Sequence, residues 1–393
     1  MDIFKKCSSF TIAREAMALG IYPYFIPMTD NEGTEAVFQG RRLIMCGSNN
    51  YLGLTTHPAV RQAAIDATRR FGTSCTGSRF ANGNLELHEQ LEHELAEWVG
   101  KPAALVFSTG MQTNLGTISA LVDRGDVVVL DKDDHASIVD GARLSWGETK
   151  RFRHNSIDGL ARLLSGIPEE KGKLVVVDGV YSMGGDIAPL PELISTCQKY
   201  GARLMVDDAH AMGVIGGGRG TAAHFGLTEE TDLIMSTFSK SFASIGGFVA
   251  GSEDVIHYVK HHARSLIFSA SIPPAAAAAV LAALHIMRDE PEHVERLSQI
   301  GARMRASLRQ LGFNILNSQS PIIPIHIGDD MMTVLTWKNL FENGVFVNPV
   351  LSPAVPAGSQ LLRTSYMATH TDEQLDRVLE IYARVGKEMG LIS

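Results

Sequence analysis

The sequence lacks any apolar run long enough to cross a membrane. Its most apolar stretch, Ala275–Leu284, is about half the roughly 20 residues that a spanning helix needs. The N-terminus has lysines at positions 5 and 6, but the stretch after them contains Arg14 and Glu15 and has no apolar core. We therefore expect a cytoplasmic protein without a membrane span or targeting segment, for which peripheral contact with the inner membrane stays open.

Cysteine is scarce, and positive charge is not in excess. The four cysteines, at positions 7, 46, 75 and 197, form no Cys-x-x-Cys pair, so we expect free thiols and no metal site. The net charge of −8 argues against a nucleic-acid partner. A Walker loop, a Gly-x-Ser-x-Gly elbow and a dinucleotide-binding glycine spacing are all missing.

What is present is an alternation of short apolar runs with longer amphipathic stretches. Helical patterns such as Met111–Val122 and Leu190–Tyr200 separate the runs. This alternation of strand and helix patterns predicts an α/β fold with a mainly parallel sheet, in which ligands bind at the carboxyl ends of the strands. The predicted strands are Ala103–Phe107, Val127–Leu130, Leu174–Val177, Arg203–Val206, Leu233–Ser236 and Gly247–Ala250.

The chain is too long for one small core, and its patterns divide it into three parts. Residues 1–45 are expected to form a helix and a hairpin-like piece, residues 46–290 a large domain, and residues 291–393 a small α+β domain. The last part mixes helical patterns at 292–311, 331–343 and 372–389 with short strands near 322–327 and 361–366.

Two segments combine an acidic residue after a predicted strand with a lysine among hydroxyl residues. Asp207 and His210 follow a buried strand, and Lys240 stands 33 positions after Asp207. This combination points to pyridoxal-phosphate chemistry, in which the lysine would carry the cofactor as a Schiff base and the aspartate would keep the pyridine nitrogen protonated. Phe238 and Phe242 give Lys240 an apolar setting that disfavours its ammonium form. The alternatives are a surface lysine and an ordinary strand-end turn.

A turn that opens a helix predicts the phosphate site. Ser108–Met111 follows a strand, and the free N–H groups at Gly110 and Met111 would bind an anion. Thr237 and Ser239 would add hydroxyl donors from the other side. Taken alone, the turn could also be a loop without function.

Other polar residues are candidates around the cofactor ring and the substrate. His135 would cap the ring or transfer a proton, with a structural histidine as the alternative. His210 and Ser182 would reach the phenolic oxygen of the ring. Arg363, within an apolar strand pattern, suits a carboxylate, with Asn50 as a second contact. An internal salt bridge and a turn are the alternatives for these two residues.

Taken in order, these motifs resemble those of the α-oxoamine synthases, which are fold-type I pyridoxal-phosphate enzymes. The likeness runs from about Ile12 to Met389 and includes Ser48–Leu54, Asp134–Ser137 and the segments around Asp207 and Lys240. The resemblance implies a mainly parallel seven-stranded sheet in the large domain. It also implies catalytic roles for Lys240, His135, Asp207 and His210, and a homodimer with shared active sites. Ser271 matches the position that reaches the neighbouring subunit's phosphate.

Four segments are most similar to the bacterial members of this family that use L-serine and palmitoyl-CoA: Cys75–Gly83, Asn348–Val350, Ser352–Pro356 and Tyr366–Thr371. The resemblance thus implies a decarboxylating condensation in sphingolipid metabolism that yields 3-oxosphinganine, CoA and CO2. Glycine C-acetyltransferase and 8-amino-7-oxononanoate synthase activities are alternatives, although Ala354 replaces a threonine typical of the latter. A silent regulatory subunit is the non-enzyme alternative, and it would be expected to lack the lysine. Leu351 stands where some serine-using members have an arginine.

Overall fold

The computed structural model describes residues 2–393, which form fourteen strands, fifteen α-helices and two short 3-10 helices, Leu54–Thr56 and Gly216–Gly218. In chain order the strands are β1 (Met28–Asn31), β2 (Glu35–Phe38), β3 (Arg41–Met45), β4 (Ala103–Phe107), β5 (Val127–Asp131), β6 (Glu148–Phe152), β7 (Lys173–Asp178), β8 (Arg203–Asp207), β9 (Leu233–Thr237), β10 (Gly247–Gly251), β11 (Ile322–His326), β12 (Val345–Phe346), β13 (Asn348–Val350) and β14 (Leu361–Ser365). The helices are α1 (Lys5–Ser8), α2 (Ile12–Ala18), α3 (Pro58–Phe71), α4 (Glu86–Val99), α5 (Gly110–Leu121), α6 (Ala136–Leu144), α7 (Ile157–Ser165), α8 (Leu190–Lys199), α9 (Thr221–Phe225), α10 (Glu253–His262), α11 (Arg264–Ile267), α12 (Pro274–Asp289), α13 (Glu292–Leu311), α14 (Asp330–Glu342) and α15 (Asp372–Glu388).

Seven strands form the central sheet, in the order β4-β10-β9-β8-β7-β5-β6. Neighbouring strands run parallel except at β10, which is antiparallel to both β4 and β9. The predicted mainly parallel, seven-stranded α/β sheet is therefore confirmed. In this sheet Asp178 lies opposite Asp207, and Asp207 lies opposite Met235, so the carboxyl ends of β7, β8 and β9 lie side by side.

The inner strands of the sheet are buried on both faces because most of their positions are apolar, whereas the edge strand β6 is largely exposed. All five residues of β5 are buried. Successive side chains of a strand point to opposite faces. Val127 and Val129 therefore join the core under α3, α4, α7, α8 and α12, whereas Val128 and Leu130 join the core under α5, α6, α10 and α11. Helices on both faces leave only the ends of the strands open for a ligand.

The third core lies in the C-terminal region and includes residues from the N-terminal segment. β3 pairs in parallel with β12, with Ile44 opposite Val345, and Phe38 and Leu43 pack with apolar residues of α13, α14 and α15. The N-terminal segment contains two short helices rather than one, and neither α1 nor α2 has a buried residue. The division of the chain at residues 45 and 290 stays a prediction. Within residues 2–393, no helix combines the length and apolarity needed to span a bilayer.

Candidate active site

The candidate site is a cavity of about 330 Å³ at the carboxyl ends of β7, β8 and β9. It brings together eight of the residues predicted from the sequence: Gly110, Met111, His135, Asp207, His210, Thr237, Ser239 and Lys240. Residues distant in the chain meet here because the parallel strands place their following loops at one edge of the sheet.

Lys240 lies in the turn between β9 and β10, in front of an aromatic cluster. Phe238, Phe242 and Phe248 are fully buried, and the ring centroids of Phe238 and Phe242 are 5.3 Å apart. Burial lowers the pKa of Lys240 to about 8, although the carboxylates of Asp207 and Asp178 act to raise it. At such a pKa roughly a tenth of the lysine is a neutral amine at pH 7 and about half at pH 8. The neutral form is the one that a nucleophile or a base requires.

Asp207 ends β8 with its carboxylate held from two sides. Its Oδ1 accepts a hydrogen bond from the backbone N–H of Ala209 at 3.0 Å, and its Oδ2 accepts one from Nδ2 of Asn114 at 2.7 Å. Asp207 is only 3% exposed. A carboxylate with two donors in a buried position is well placed to bind a protonated ring nitrogen.

The same amide also organises His135. Nδ2 of Asn114 donates to the hydroxyl of Ser137 at 2.8 Å, and that hydroxyl lies 2.7 Å from Nδ1 of His135. Nδ1 of His135 also accepts the backbone N–H of Ser137 at 3.3 Å, so Nδ1 is the acceptor, the Ser137 hydroxyl donates to it, and the imidazole proton lies on Nε2. Burial lowers the pKa of His135, which keeps the ring neutral.

The predicted phosphate site is formed by the start of α5 and two hydroxyls. Thr109 caps this helix by accepting a hydrogen bond from the N–H of Gln112, which leaves the first N–H groups of the helix free. A Cβ added at Gly110 would come within 2.6 Å of Thr237 Oγ1, so only glycine leaves the space open. Thr237 and Ser239 hydroxyl oxygens are 3.0 Å apart beside it. This is a cradle that suits a phosphate group.

Asp178 is a cavity residue that our reading of the sequence missed. It is 4% exposed, and its Oδ2 has no hydrogen-bond partner among the described residues. Burial and the nearby Asp207 hold the pKa of Asp178 well above its usual range. Asp178 directly follows the apolar run Leu174–Val177, just as Asp207 directly follows the apolar residues of β8. This similarity in sequence could have identified Asp178 as a site residue.

Arg363 lies on β14 and reaches toward the cavity from the C-terminal region. Its Nε donates to the carbonyl of Ser182 at 2.6 Å, and its Nη2 donates to the hydroxyl of Tyr51 at 3.3 Å. Only 5% of Arg363 is exposed, and it has no salt-bridge partner among the described residues. The alternative of an internal salt bridge is therefore wrong, and a buried guanidinium without a carboxylate partner suits a carboxylate ligand.

Besides Arg363, three predicted residues do not line the cavity. Asn50 bonds locally, with its Nδ2 donating to Thr55 Oγ1 at 2.8 Å, and Ser182 contributes its carbonyl to Arg363. The hydroxyl of Ser271 lies 2.7 Å from the carbonyl of Gly83 and 3.0 Å from that of Gly77. Substrate contact by Asn50 and cofactor contact by Ser182 and Ser271 stay predictions.

The residues present fit pyridoxal phosphate. The glycine cradle leaves room for the phosphate, Asp207 offers a buried carboxylate to the ring nitrogen, and Lys240 offers an amine of lowered pKa. His135 lines the same cavity. These are the groups that the cofactor requires from a protein.

Comparison with known proteins gives concordant matches. The family model described as aminotransferase class I and II matches residues 41–381. The serine palmitoyltransferase of Sphingobacterium spiritivorum is 51% identical over 98% of this chain and 96% of its own. The 8-amino-7-oxononanoate synthase of Alkaliphilus oremlandii is 41% identical over 95% of each chain. A serine palmitoyltransferase variant from S. paucimobilis, solved with a pyridoxal phosphate–myriocin aldimine, has a TM-score of 0.97 at 37% identity, with 100% of both chains covered.

Proposed function

Since the chain belongs to the class I and II aminotransferase family, and within it to the pyridoxal-phosphate-dependent α-oxoamine synthases, we propose that it condenses L-serine with palmitoyl-CoA. The products are 3-oxosphinganine, CoA and CO2. The fold-type I architecture and the pyridoxal-phosphate cofactor, both expected from the sequence motifs, are confirmed. The chain is thus an acyltransferase, and the alternative of a silent regulatory subunit is not retained.

One observation carries the proposal. Lys240, whose pKa is lowered, and the buried Asp207, whose carboxylate accepts two hydrogen bonds, line one cavity next to Arg363, which has no acidic partner. Such a set binds an amino acid by its carboxylate and removes a proton from the carbon beside it. The names of the relatives favour L-serine and palmitoyl-CoA over other substrates of this family.

The cofactor would be held by the residues described above. The free N–H groups of Gly110 and Met111, with the hydroxyls of Thr237 and Ser239, would bind its phosphate, and Asp207 would bind its ring nitrogen. His135 would lie against the ring. When bound, pyridoxal phosphate supplies an electron sink for the negative charge that develops on the α-carbon of the amino acid.

Lys240 and Arg363 act on the substrate. The guanidinium of Arg363 orients the serine carboxylate, and the neutral amine of Lys240 takes the α-proton. The α-carbon then forms a bond to the thioester carbonyl, and the CoA thiolate leaves. The serine carboxylate departs as CO2, and a proton returned to the α-carbon completes the product.

An assay of CoA release tests the proposal. We expect the holoenzyme to release CoA from palmitoyl-CoA with L-serine, and much more slowly with glycine or L-alanine. Lys240→Ala should abolish both turnover and the visible absorption of the bound cofactor, whereas Lys260→Ala, on α10, should leave both unchanged. A preference for glycine with a short acyl-CoA, or for L-alanine, would instead support one of the two alternative activities named above.

A homodimer with shared active sites, contact with the inner membrane and a cytoplasmic location stay predictions. For the dimer, the test is the molar mass of the holoenzyme in solution, measured by light scattering.

A further inference from the structure

The hydroxyl of Tyr51 lies between two side chains of the candidate site. It is 2.6 Å from Nδ1 of His210 and 3.3 Å from Nη2 of Arg363. Tyr51 is fully buried, and its ring meets the His210 ring edge-on, with the centroids 6.0 Å apart. One hydroxyl thus joins the histidine that lines the cavity to the arginine assigned to the substrate carboxylate.

The two contacts determine where the protons lie. A guanidinium can only donate, so the Tyr51 oxygen accepts the hydrogen bond from Arg363. The phenol has one proton, and at 2.6 Å the acceptor for it is Nδ1 of His210. Nδ1 is then unprotonated, and the imidazole proton lies on Nε2, which has no partner among the described residues.

A second acceptor is available to the phenol, but at a longer distance. Oδ1 of Asn49 lies 3.4 Å from the Tyr51 hydroxyl, outside the usual range for a hydrogen bond between two oxygens. If the phenol donated to Asn49 instead, His210 would carry its proton on Nδ1, and its unprotonated Nε2 would face the cavity. The shorter distance to His210 favours the first arrangement.

The position of Tyr51 is set by hydrogen bonds between its segment and the residues at the end of β14, the strand that carries Arg363. The carbonyl of Tyr51 accepts a hydrogen bond from the N–H of Ala368 at 2.7 Å, and the hydroxyl of Ser365 donates to the carbonyl of Ser48 at 2.6 Å. These bonds hold the segment before α3 against the end of β14. The phenol therefore has little freedom to leave the position between His210 and Arg363.

We propose that Tyr51 is a positioning residue: its hydroxyl holds His210 with the proton on Nε2 and fixes the guanidinium of Arg363 beside it. The N–H of His210 and the free donors of Arg363 would then be ready for a ligand that carries oxygen anions, such as the amino-acid carboxylate or the phenolic oxygen of the cofactor. The inference rests on the proposed function for its ligand, but the placement of the protons is a property of the chain alone.

The proton placement is tested by nitrogen-15 NMR of the holoenzyme labelled at histidine. The His210 signals are assigned by their loss in His210→Asn. We expect an unprotonated Nδ1 and a protonated Nε2, and the same state after the amino acid binds. A proton on Nδ1, alone or together with one on Nε2, would overturn the proposal.

The positioning is tested with Tyr51→Phe, which removes the hydroxyl and keeps the ring. We expect the dissociation constant for L-serine, from absorption titration of the holoenzyme, to rise about tenfold, as for the loss of a hydrogen bond to a charged group. Cofactor affinity should fall less than the affinity for L-serine, because Lys240, Asp207 and the phosphate cradle also hold the cofactor. Tyr382→Phe is the matched control, because the Tyr382 hydroxyl is buried without a partner in the C-terminal core.

The outcomes separate this inference from the proposed function. An unchanged dissociation constant in Tyr51→Phe, with the same His210 proton state as the wild type, would overturn the role of Tyr51. If the wild type responds to glycine or L-alanine but not to L-serine, the proposed substrate is wrong, and the Tyr51 comparison is made with the amino acid that binds.

Discussion

Nδ2 of Asn114 donates a hydrogen bond of 2.7 Å to Oδ2 of Asp207, at the wall of the cavity that holds Lys240. The same nitrogen donates to Ser137, which in turn bonds His135. One buried amide on α5 thus orients both the carboxylate assigned to the ring nitrogen and the histidine assigned to the ring face. Residues such as Asn114, which orient the groups that contact a ligand, determine how well the site is arranged before the ligand binds.

Asn114→Ala should therefore weaken cofactor binding. Asp207 loses one of its two donors and Ser137 loses the bond that directs its proton to His135, so we expect the dissociation constant for pyridoxal phosphate to rise about tenfold. Dialysis against decreasing cofactor concentration, followed by absorption, measures it. Thr117→Val on the same helix is the control, because the Thr117 hydroxyl is buried without a partner. Equal cofactor affinity in the two variants would contradict the role of Asn114.

Gly110→Ala should block the phosphate cradle. The added methyl group would stand 2.6 Å from Thr237 Oγ1, in the space that Gly110 leaves open beside the cradle hydroxyls. We expect at least a hundredfold loss of affinity for pyridoxal phosphate, and a smaller loss for pyridoxal, which has no phosphate. Gly166→Ala is the control, since its methyl group would meet nothing closer than 3.6 Å. A similar loss for both ligands would show that the helix start does not bind the phosphate.

Cofactor capture by the apoenzyme should depend on pH through Lys240. Attachment needs the neutral amine, whose fraction rises with pH, and burial lowers the pKa of this lysine from 10.5 to about 8. The rate of capture should therefore rise between pH 7 and 9 and level off above that range. Stopped-flow absorption measures the rate, and the melting temperature at each pH verifies that the chain stays folded. A midpoint near that of an ordinary lysine would contradict the buried setting.

His154 should contribute stability that depends on pH. It lies 3.0 Å from Asp131 Oδ1 and 2.9 Å from Asp186 Oδ2, and although burial alone would lower its pKa, the two carboxylates raise it to about 10. A folded pKa above the ordinary 6.5 means that the contribution is complete below pH 6.5 and is lost as the pH rises through about 10.

His154→Gln is the variant for this test. We expect it to lower the free energy of unfolding by about 2 kcal/mol at pH 6.5, the range for hydrogen bonds to charged groups. The difference from the wild type should shrink toward pH 10, as measured by urea unfolding. His93→Gln, at an exposed pair with Glu97, should have little effect at either pH. A difference for His154→Gln that does not change with pH would contradict a charged imidazole.

The strand cores and the residues directly after them could be predicted from the sequence. Asp207 follows an apolar run that is typical of a buried strand, and the fold then brings it to the same edge as Lys240. β6 was missed because it is an edge strand in which only Phe152 is buried, so its Glu, Thr, Lys and Arg residues show no apolar run.

The hydrogen-bond partners of the site could not be predicted in the same way. Tyr51 and Arg363 are 312 positions apart, and no local pattern indicates that they meet. Asn114 is a polar residue inside a helix that is otherwise mostly apolar or small, which hints at a buried role but not at its partner. Such long-range pairs depend on how the segments that carry Tyr51, Asn114 and Arg363 pack around the sheet.

The product formed from L-serine and palmitoyl-CoA is the most direct test of the proposed reaction. The holoenzyme is incubated with L-serine labelled with carbon-13 at its carboxyl group, and the lipid product and the released gas are analysed by mass spectrometry. We expect unlabelled 3-oxosphinganine and labelled CO2 in equal amounts, with none of either from Lys240→Ala. A product that retains the label, or an acylated product from glycine or L-alanine but none from L-serine, would contradict the proposed reaction.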